Sequence, residues 1–221
     1  MTTRIGVAVE ETPKRSFATA IDWPGWSRSG RTVPAAHEAL VAHAERYAIV
    51  AALAGEPFPT EDLEVDVAES GGGGSGTEFG VPSRITDADR RPTSSGEGDR
   101  LARLVAAAWK TLDDVAERAP EELRKGPRGG GRDRSKMVAH VIDAEWYYAR
   151  EMGIRVPQPA TNDMAAVWAL RGLMLDVLRR PSEGSPLADR KWTVRYAAHR
   201  IAWHALDHAW EIEDRSSPEG P

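Results

Sequence analysis

The apolar residues of this chain repeat with two different periods, and the change of period falls at a run of glycines. Ahead of the run, Ile5, Val7 and Val9 alternate with Arg4, Gly6 and Ala8, the period-two pattern of a strand with one buried face. Behind it, Leu101, Leu104, Val105, Ala108, Leu112 and Val115 recur at helical spacing. A chain patterned in this way places a sheet-containing unit before a helical one. The run itself, SGGGGSG over Ser70 to Gly76, reads as a flexible linker or loop tip, and Pro82, Pro92, Ser94 and Ser95 continue that composition to Gly98. The expected organisation is an amino-terminal unit over 1–69, a Gly/Ser/Pro-rich linker over 70–97, a helical unit over 98–215 and a tail over 216–221. No internal repeat relates the halves.

In the first half, Phe17, Thr19 and Ile21 form a second alternating run after Thr12-Pro13, and Trp23-Pro24-Gly25-Trp26 marks a turn before a short extended stretch to Gly30. Thr32 is suited to cap a helix with Pro34 in its first turn. That helix is predicted from about Ala35 to Leu53, with Ala36, Leu40, Ala44, Tyr47 and Val50 near one face. Leu63, Val65 and Val67 suggest a closing strand, so the order implies a small α+β domain with a largely antiparallel sheet. In the second half, helices are expected over Asp99 to Ala119 and over Ser135 to Gly153, with Ser135 as cap and Gly153 as stop. A third runs from a cap at Asn162 or Asp163 to Arg180, ended by Pro181, and a fourth from Thr193 to about Asp214. Four such helices with apolar stripes are what a single bundle requires.

Composition narrows the class. Of 221 residues, 29% are charged and 41% hydrophobic, in the range of soluble globular proteins, and the formal net charge of −5 offers no general attraction for nucleic acid or an anionic membrane. Cysteine is absent, which removes disulfides and thiolate ligands and fits a reducing compartment. Met1 to Glu11 carries Arg4, Glu10 and Glu11 and no long apolar stretch, so no signal peptide is expected. No run approaches the roughly 20 apolar residues of a spanning helix. A cytoplasmic protein without membrane or nucleic-acid partners is the expectation.

The chemistry-bearing feature is Trp203-His204-Ala-Leu-Asp-His208 in the fourth helix. Residues i and i+4 stand about 6 Å apart along a helix and about 40° apart around it, so both imidazoles can reach one ion. Two such ligands make a weak site, and His140, among Ala139, Val141 and Ile142 in the second helix, is the best third. His199 points about 140° away from His204 and reads as a packing or surface residue, as do His37 and His43 in the first unit. Three histidines leave coordination positions open, the arrangement of a catalytic rather than a structural metal. Asp143, Tyr147 and Glu211 follow the histidines at helical spacing and are the candidates to orient an imidazole or act as acid or base, against the simpler reading that they are solvated or packed. Trp146, Trp168, Trp203 and Trp210 read as packing residues. Arg124, Lys125, Arg128, Arg132, Arg134 and Lys136, in a glycine-rich loop, read as a solvated stretch rather than a phosphate or nucleic-acid site.

Two family resemblances add to this. Lys136-Met-Val-Ala-His140-Val-Ile-Asp-Ala-Glu145-Trp resembles the second helix of DinB-like bundles, the superfamily that includes mycothiol- and bacillithiol-dependent enzymes, and Arg200-Ile-Ala-Trp-His204-Ala-Leu-Asp-His208-Ala-Trp-Glu-Ile resembles their fourth. The resemblance covers about 98–215. It implies an up-down-down-up bundle in which His140, His204 and His208 hold a divalent metal (zinc first, then nickel or iron), with a low-molecular-weight thiol as a co-substrate. Phe17-Ala-Thr-Ala-Ile-Asp22, Trp23-Pro24-Gly25-Trp26, Gly30-Arg-Thr32 and Glu38-Ala39-Leu40 resemble a HicB-like module over about 3–69, without the residue that often follows Pro-Gly there and without a DNA-binding motif behind it. The expected function is that of a metal-dependent enzyme acting on a small molecule, a thiol-dependent S-transferase or a hydrolase. A non-catalytic metal- or ligand-binding or regulatory protein is the alternative, and an antitoxin-like toxin-binding protein the third reading. A homodimer and a protein partner for the first module stay open.

Overall fold

Four strands and seven helices are present among the described residues, which are 2–125 and 131–216 of the computed structural model, and together they make a mixed α+β fold. Strands β1 (Thr3–Glu11), β2 (Ser16–Ala20) and β3 (Ser27–Gly30) are joined by tight turns and pair antiparallel. The chain then crosses back through α1 (Val33–Ala42) and α2 (Ala44–Leu53), and β4 (Leu63–Gly72) enters beside β1 in the same direction. The sheet order is β3-β2-β1-β4. Two of the three pairings are antiparallel, but β4 is parallel to β1, so the sheet is mixed: the helical crossover returns the chain to the end where β1 begins, which is how parallel neighbours are connected.

The expected single helix over Ala35 to Leu53 is two. Thr32 caps the first, its hydroxyl accepting from the Ala35 amide at 3.3 Å. His43 leaves helical geometry between them, with φ −97° and ψ 6°, and its Nδ1 is 2.9 Å from the Ala39 carbonyl. All five of the face residues Ala36, Leu40, Ala44, Tyr47 and Val50 are buried.

The stretch read as a linker is largely structured. Ser70, Gly71 and Gly72 end β4, paired with Val9, Glu10 and Glu11, and a short helix α3 (Ser75–Phe79) follows. Buried Glu10 fastens what comes next: its carboxylate accepts from the Thr77 hydroxyl at 3.0 Å and the Ser83 and Arg84 amides at 3.0 and 2.6 Å. A carboxylate with several amide donors is satisfied without solvent. The sequence gives no hint that Glu10 is the anchor, because it ends an otherwise ordinary strand.

Helices α4 (Ser95–Arg118), α5 (Arg134–Glu151), α6 (Met164–Arg179) and α7 (Val194–Ser216) pack around a common core. Ser94 and Glu97 form a reciprocal capping box, so α4 starts four residues earlier than its apolar stripe suggested. Asp133, not Ser135, holds the cap position of α5, and the Ser135 hydroxyl donates to Glu121 instead at 2.6 Å. Asp163 caps α6 on the Ala166 amide, and Thr193 accepts from the Tyr196 amide at the start of α7. Glu97 pairs with Arg195, joining the first turns of α4 and α7. Arg134 donates to the Ala119 carbonyl at the end of α4, and Gly98 abuts the Leu178 and Arg179 carbonyls at the end of α6. Helices α4 and α7 therefore run one way, and α5 and α6 the other. No described helix is long and apolar enough to cross a membrane.

One core spans both halves. The sheet face carrying Phe17 and Thr19 turns toward α7, where Phe17 meets the Trp203 ring edge-on at 6.3 Å. Arg28 pairs with Asp207 at 3.1 Å, Arg46 with Glu213 at 2.7 Å, and Glu56 receives both Arg100 and Arg103 of α4. The Trp23–Trp26 turn is pressed onto α7. Gly25 has φ +94°, and a Cβ there would stand 2.7 Å from Leu206 Cδ1 and 2.9 Å from Ala202 Cβ.

Inside the bundle, fully buried Arg171 of α6 donates to Glu145 of α5 through Nε and Nη2 at 2.9 and 3.0 Å and to Asp113 of α4 through Nη1 at 3.2 Å. The rings of Trp109 and Trp168 lie 5.0 and 4.8 Å from its guanidinium carbon. The other tryptophans read as packing residues divide: Trp203 and Trp210 are buried, and Trp146 is partly buried with its indole donating to the Val156 carbonyl.

Two stability measurements follow. Gly25→Ala should cost about 2–5 kcal/mol in urea unfolding, combining about 1–2 for a left-handed backbone with about 1–3 for overpacking. Gly55→Ala, at φ +71° with nothing within 4 Å, should cost only the first part. Arg171→Met should cost about 3–5 kcal/mol by leaving Glu145 charged and unpaired, and Arg171→Met with Glu145→Leu should recover most of that loss.

Candidate metal centre

His204 and His208 occur on α7 because Trp203 and Ala205 to Leu206 are drawn into the core and set that helix's rotation. His140 sits at the edge of the buried stripe of α5 formed by Met137, Val141, Glu145 and Ala149. The two helices pack together, and the three expected ligands converge. Ring centroids are 5.1 Å apart for His140 and His204, 5.2 Å for His140 and His208, and 4.8 Å for His204 and His208. One nitrogen from each ring can be chosen so that all three lie within 4.8 Å of one another. Nitrogens on a tetrahedral zinc stand about 3.4 Å apart, given bonds of about 2.0–2.1 Å, so closing onto an ion requires only a modest inward rotation of the rings.

Protonation and tautomer favour this use. Burial lowers the pKa of His204 well below 6.5, with His208, Arg200, His140 and Arg132 adding to the effect. Burial, His208 and Arg132 also lower that of His140. Neutral imidazoles are the form a metal binds. The Nδ1 of His208 lies 3.2 Å from Glu211 Oε2. An ionised carboxylate only accepts, so Nδ1 carries a proton, and Nε2 is the nitrogen left for a ligand. Hydrogen bonding to His208, then to Arg215, holds the Glu211 carboxyl below its usual range. Arg215 Nη1 donates to Glu211 Oε1 at 3.1 Å, and its Nε donates to the Arg124 carbonyl at 2.6 Å. The Nδ1 of His204 is buried with no hydrogen-bond partner among the described residues, as expected of an imidazole kept for something other than the protein's own polar groups.

Of the candidate acid–base residues, only Glu211 bonds to one of the three clustered histidines. Asp143 accepts from Gln158 Nε2 at 2.8 Å on the exposed side, although its charge reaches His140. Tyr147 is 60% exposed and leans on Trp146. At about 100° per residue, positions 143 and 147 fall about 60° and 20° to the solvent side of His140, whereas position 148 falls about 80° toward the buried stripe. Tyr148 is accordingly the tyrosine at the site, its ring 5.7 Å from that of His204. Arg200, one turn before His204, lies over Tyr148 at 5.3 Å and Trp203 at 4.8 Å. Neither residue was singled out from sequence, yet Arg200, His204 and His208 recur every four residues, which is the signal that could have found the first.

The basic loop is partly absorbed by the fold. Arg124 donates from its amide to the Arg215 carbonyl and from its side chain to that of Asp214, and Arg134 pairs with Glu121. Arg128 lies outside the described residues. His199 is engaged with the Ile21 carbonyl at 3.0 Å, on the sheet side of α7.

No family model, curated protein or solved structure matches the chain. The histidine cluster therefore stands on its geometry.

A pH series tests the electrostatics. Because the folded-state pKa of His204 is below its unfolded value of 6.5, the unfolded chain binds the proton first, and stability falls as pH drops from 6.5 toward the folded value. In metal-free protein, His204→Phe should flatten the dependence of the urea midpoint on pH between 6.5 and 5, leaving stability above pH 7 less affected.

Proposed function

We propose that the chain is a metal-dependent enzyme acting on a small molecule, an S-transferase or hydrolase built on a DinB-like bundle with a HicB-like module against it. The observation that carries this reading is the convergence of His140, His204 and His208 with two of the three partly open to solvent. Three imidazoles suit zinc first, and nickel or iron by donor type. A bound divalent ion would supply Lewis acidity that favours the deprotonated form of a thiol or water beside it.

The chain's own groups have distinct parts in this reading. His140, His204 and His208 hold the ion. Glu211 fixes the His208 tautomer, and Arg215 fixes Glu211. Tyr148 walls the His204 ring, and the positive charges of Arg132 and Arg200 favour an anionic nucleophile or substrate near the cluster. Asp143, half-buried near His140 and accepting from Gln158, is the carboxylate placed to take a proton from an incoming nucleophile. The HicB-like module is a cover for the far side of α7 rather than a toxin-binding domain, because its turn and sheet face are spent on that helix.

A second reading, a non-catalytic metal-binding or regulatory protein, draws on the placement of Tyr147 away from the cluster and the engagement of Glu211 with Arg215. Both leave few unengaged acid–base groups at the cluster.

Elemental analysis decides first. Native protein should carry about one equivalent of zinc, nickel or iron, and the His204→Ala/His208→Ala double variant none. Glu211→Ala should weaken metal affinity by about 10–100-fold. Absence of metal from native protein after incubation with divalent ions would overturn the reading. With metal established, turnover of an electrophile only when a low-molecular-weight thiol is added separates the transferase from the hydrolase, and no turnover with either nucleophile favours the binding protein.

A further inference from the structure

Next to the histidine cluster around α7, between that helix and the sheet, lies a cavity of about 40 Å³. By this measure an ordered water needs about 10–15 Å³, so the space holds about three waters or one small planar group. Its walls include Thr19, Arg84, Tyr196, His199, Arg200 and Trp203. Four wall residues each carry a buried nitrogen with no partner among the described residues: Arg84 Nη1, His199 Nδ1, Arg200 Nη1 and Trp203 Nε1. Trp203 is only 4% exposed. Few native sites leave so many polar atoms unpaired together, and each costs its desolvation.

The imbalance has a sign. The Arg84, Arg200 and Trp203 nitrogens are donors only. His199 places Nε2 on the Ile21 carbonyl, which leaves Nδ1 as an acceptor, so it is not one of the three. The wall also carries two carboxylates, Glu10 and Asp89, and both already accept from the protein. Glu10 takes the Thr77 hydroxyl and the Ser83 and Arg84 amides, Asp89 takes the Thr86 amide and hydroxyl at 2.8 Å each, and the Thr19 and Ser27 hydroxyls bond to each other at 2.7 Å. Arg84 spends Nη2 on Glu69. Arg200 has no carboxylate partner among the described residues and rests only on the faces of Tyr148 and Trp203. A partly buried guanidinium without a counter-ion, beside two further unpaired N–H donors, calls for an anion.

We propose that this cavity binds the carboxylate group of a small organic acid, with Arg200, Arg84 and Trp203 as its donors. A carboxylate accepts only and is planar, and its two oxygens offer up to about four lone-pair sites for three donors. A tetrahedral oxyanion is bulkier and brings more acceptors than the wall has donors. None of its donors is one of the three clustered histidines, although Arg200 also lies one turn before His204, so the test below separates the two sites.

The probe is ¹³C-formate, titrated into the full-length protein at constant ionic strength with chloride as the balancing anion and followed by formate line-broadening and calorimetry. The titration is repeated in His208→Ala, so that formate held by a metal at the histidines is recognised. Saturable binding at one equivalent, retained in His208→Ala and weakened at least tenfold in Arg200→Met and in Trp203→Phe, is the expected result. Trp203→Phe keeps the packing ring and removes only the N–H, which serves where Arg200→Met folds poorly. Non-saturable broadening in the native protein would overturn the proposal, with the cavity then a pocket for water. Binding lost in His208→Ala, binding unchanged in both donor variants, or displacement of formate by an equal concentration of phosphate would overturn it as well.

Discussion

Helix α7 gives up solvent on both sides. Ala197, Ala198, Ala202, Ala205 and Ala209 let neighbours approach its backbone, and Ile201, Leu206, Trp210 and Ile212 fill the space between. On one side it meets α4 and α5, and on the other the sheet and the Gly25 turn. Such a helix has no free rotation: turning it would bury a charged position such as Asp207 or Glu213 and expose an aromatic one. The orientation of His204 and His208 is thus set by packing distributed along 23 residues, not by the polar contacts of the histidines themselves. The pairing of Arg28 with Asp207 and of Arg46 with Glu213 fixes the same rotation from the sheet side.

This separation of framework from chemistry is visible in the charges. Desolvation holds His204 and His140 neutral, and two neighbouring arginines add to that effect. Glu211 meets His208 at Nδ1, supplying the carboxylate that a ligand imidazole commonly uses to fix its tautomer. The polar groups that the protein satisfies for itself, such as Glu10 with its amides, lie away from the cluster.

Much of this was legible in sequence, and the gaps have physical causes. The four long helices, the caps at Thr32, Asp163 and Thr193, and the convergence of His140 with His204 and His208 follow from periodicity and spacing, because local rules govern them. The direction of β4 was not legible, since strand alternation is the same for parallel and antiparallel neighbours. The glycines of 70–76 were read as free chain, but composition records only what a backbone can adopt, and it was buried Glu10 that held the following segment. Tyr147 was preferred to Tyr148 because spacing from His140 counts only one helix, whereas the partner helix determines which flank is covered. Arg200 escaped notice for the same reason: its value lies in what is missing around it.

The bundle's internal ion cluster has a consequence for how the molecule can change. Arg171, clasped by Glu145 and Asp113 and flanked by two indoles, ties α4, α5 and α6 together, and Glu145 stands five residues after His140 on α5. Displacing α5 by one turn, about 5.4 Å, would strand Glu145, so the height of His140 opposite α7 is metered by a salt link that involves none of the three histidines. The three histidines therefore stand on a scaffold whose register is held by contacts other than their own.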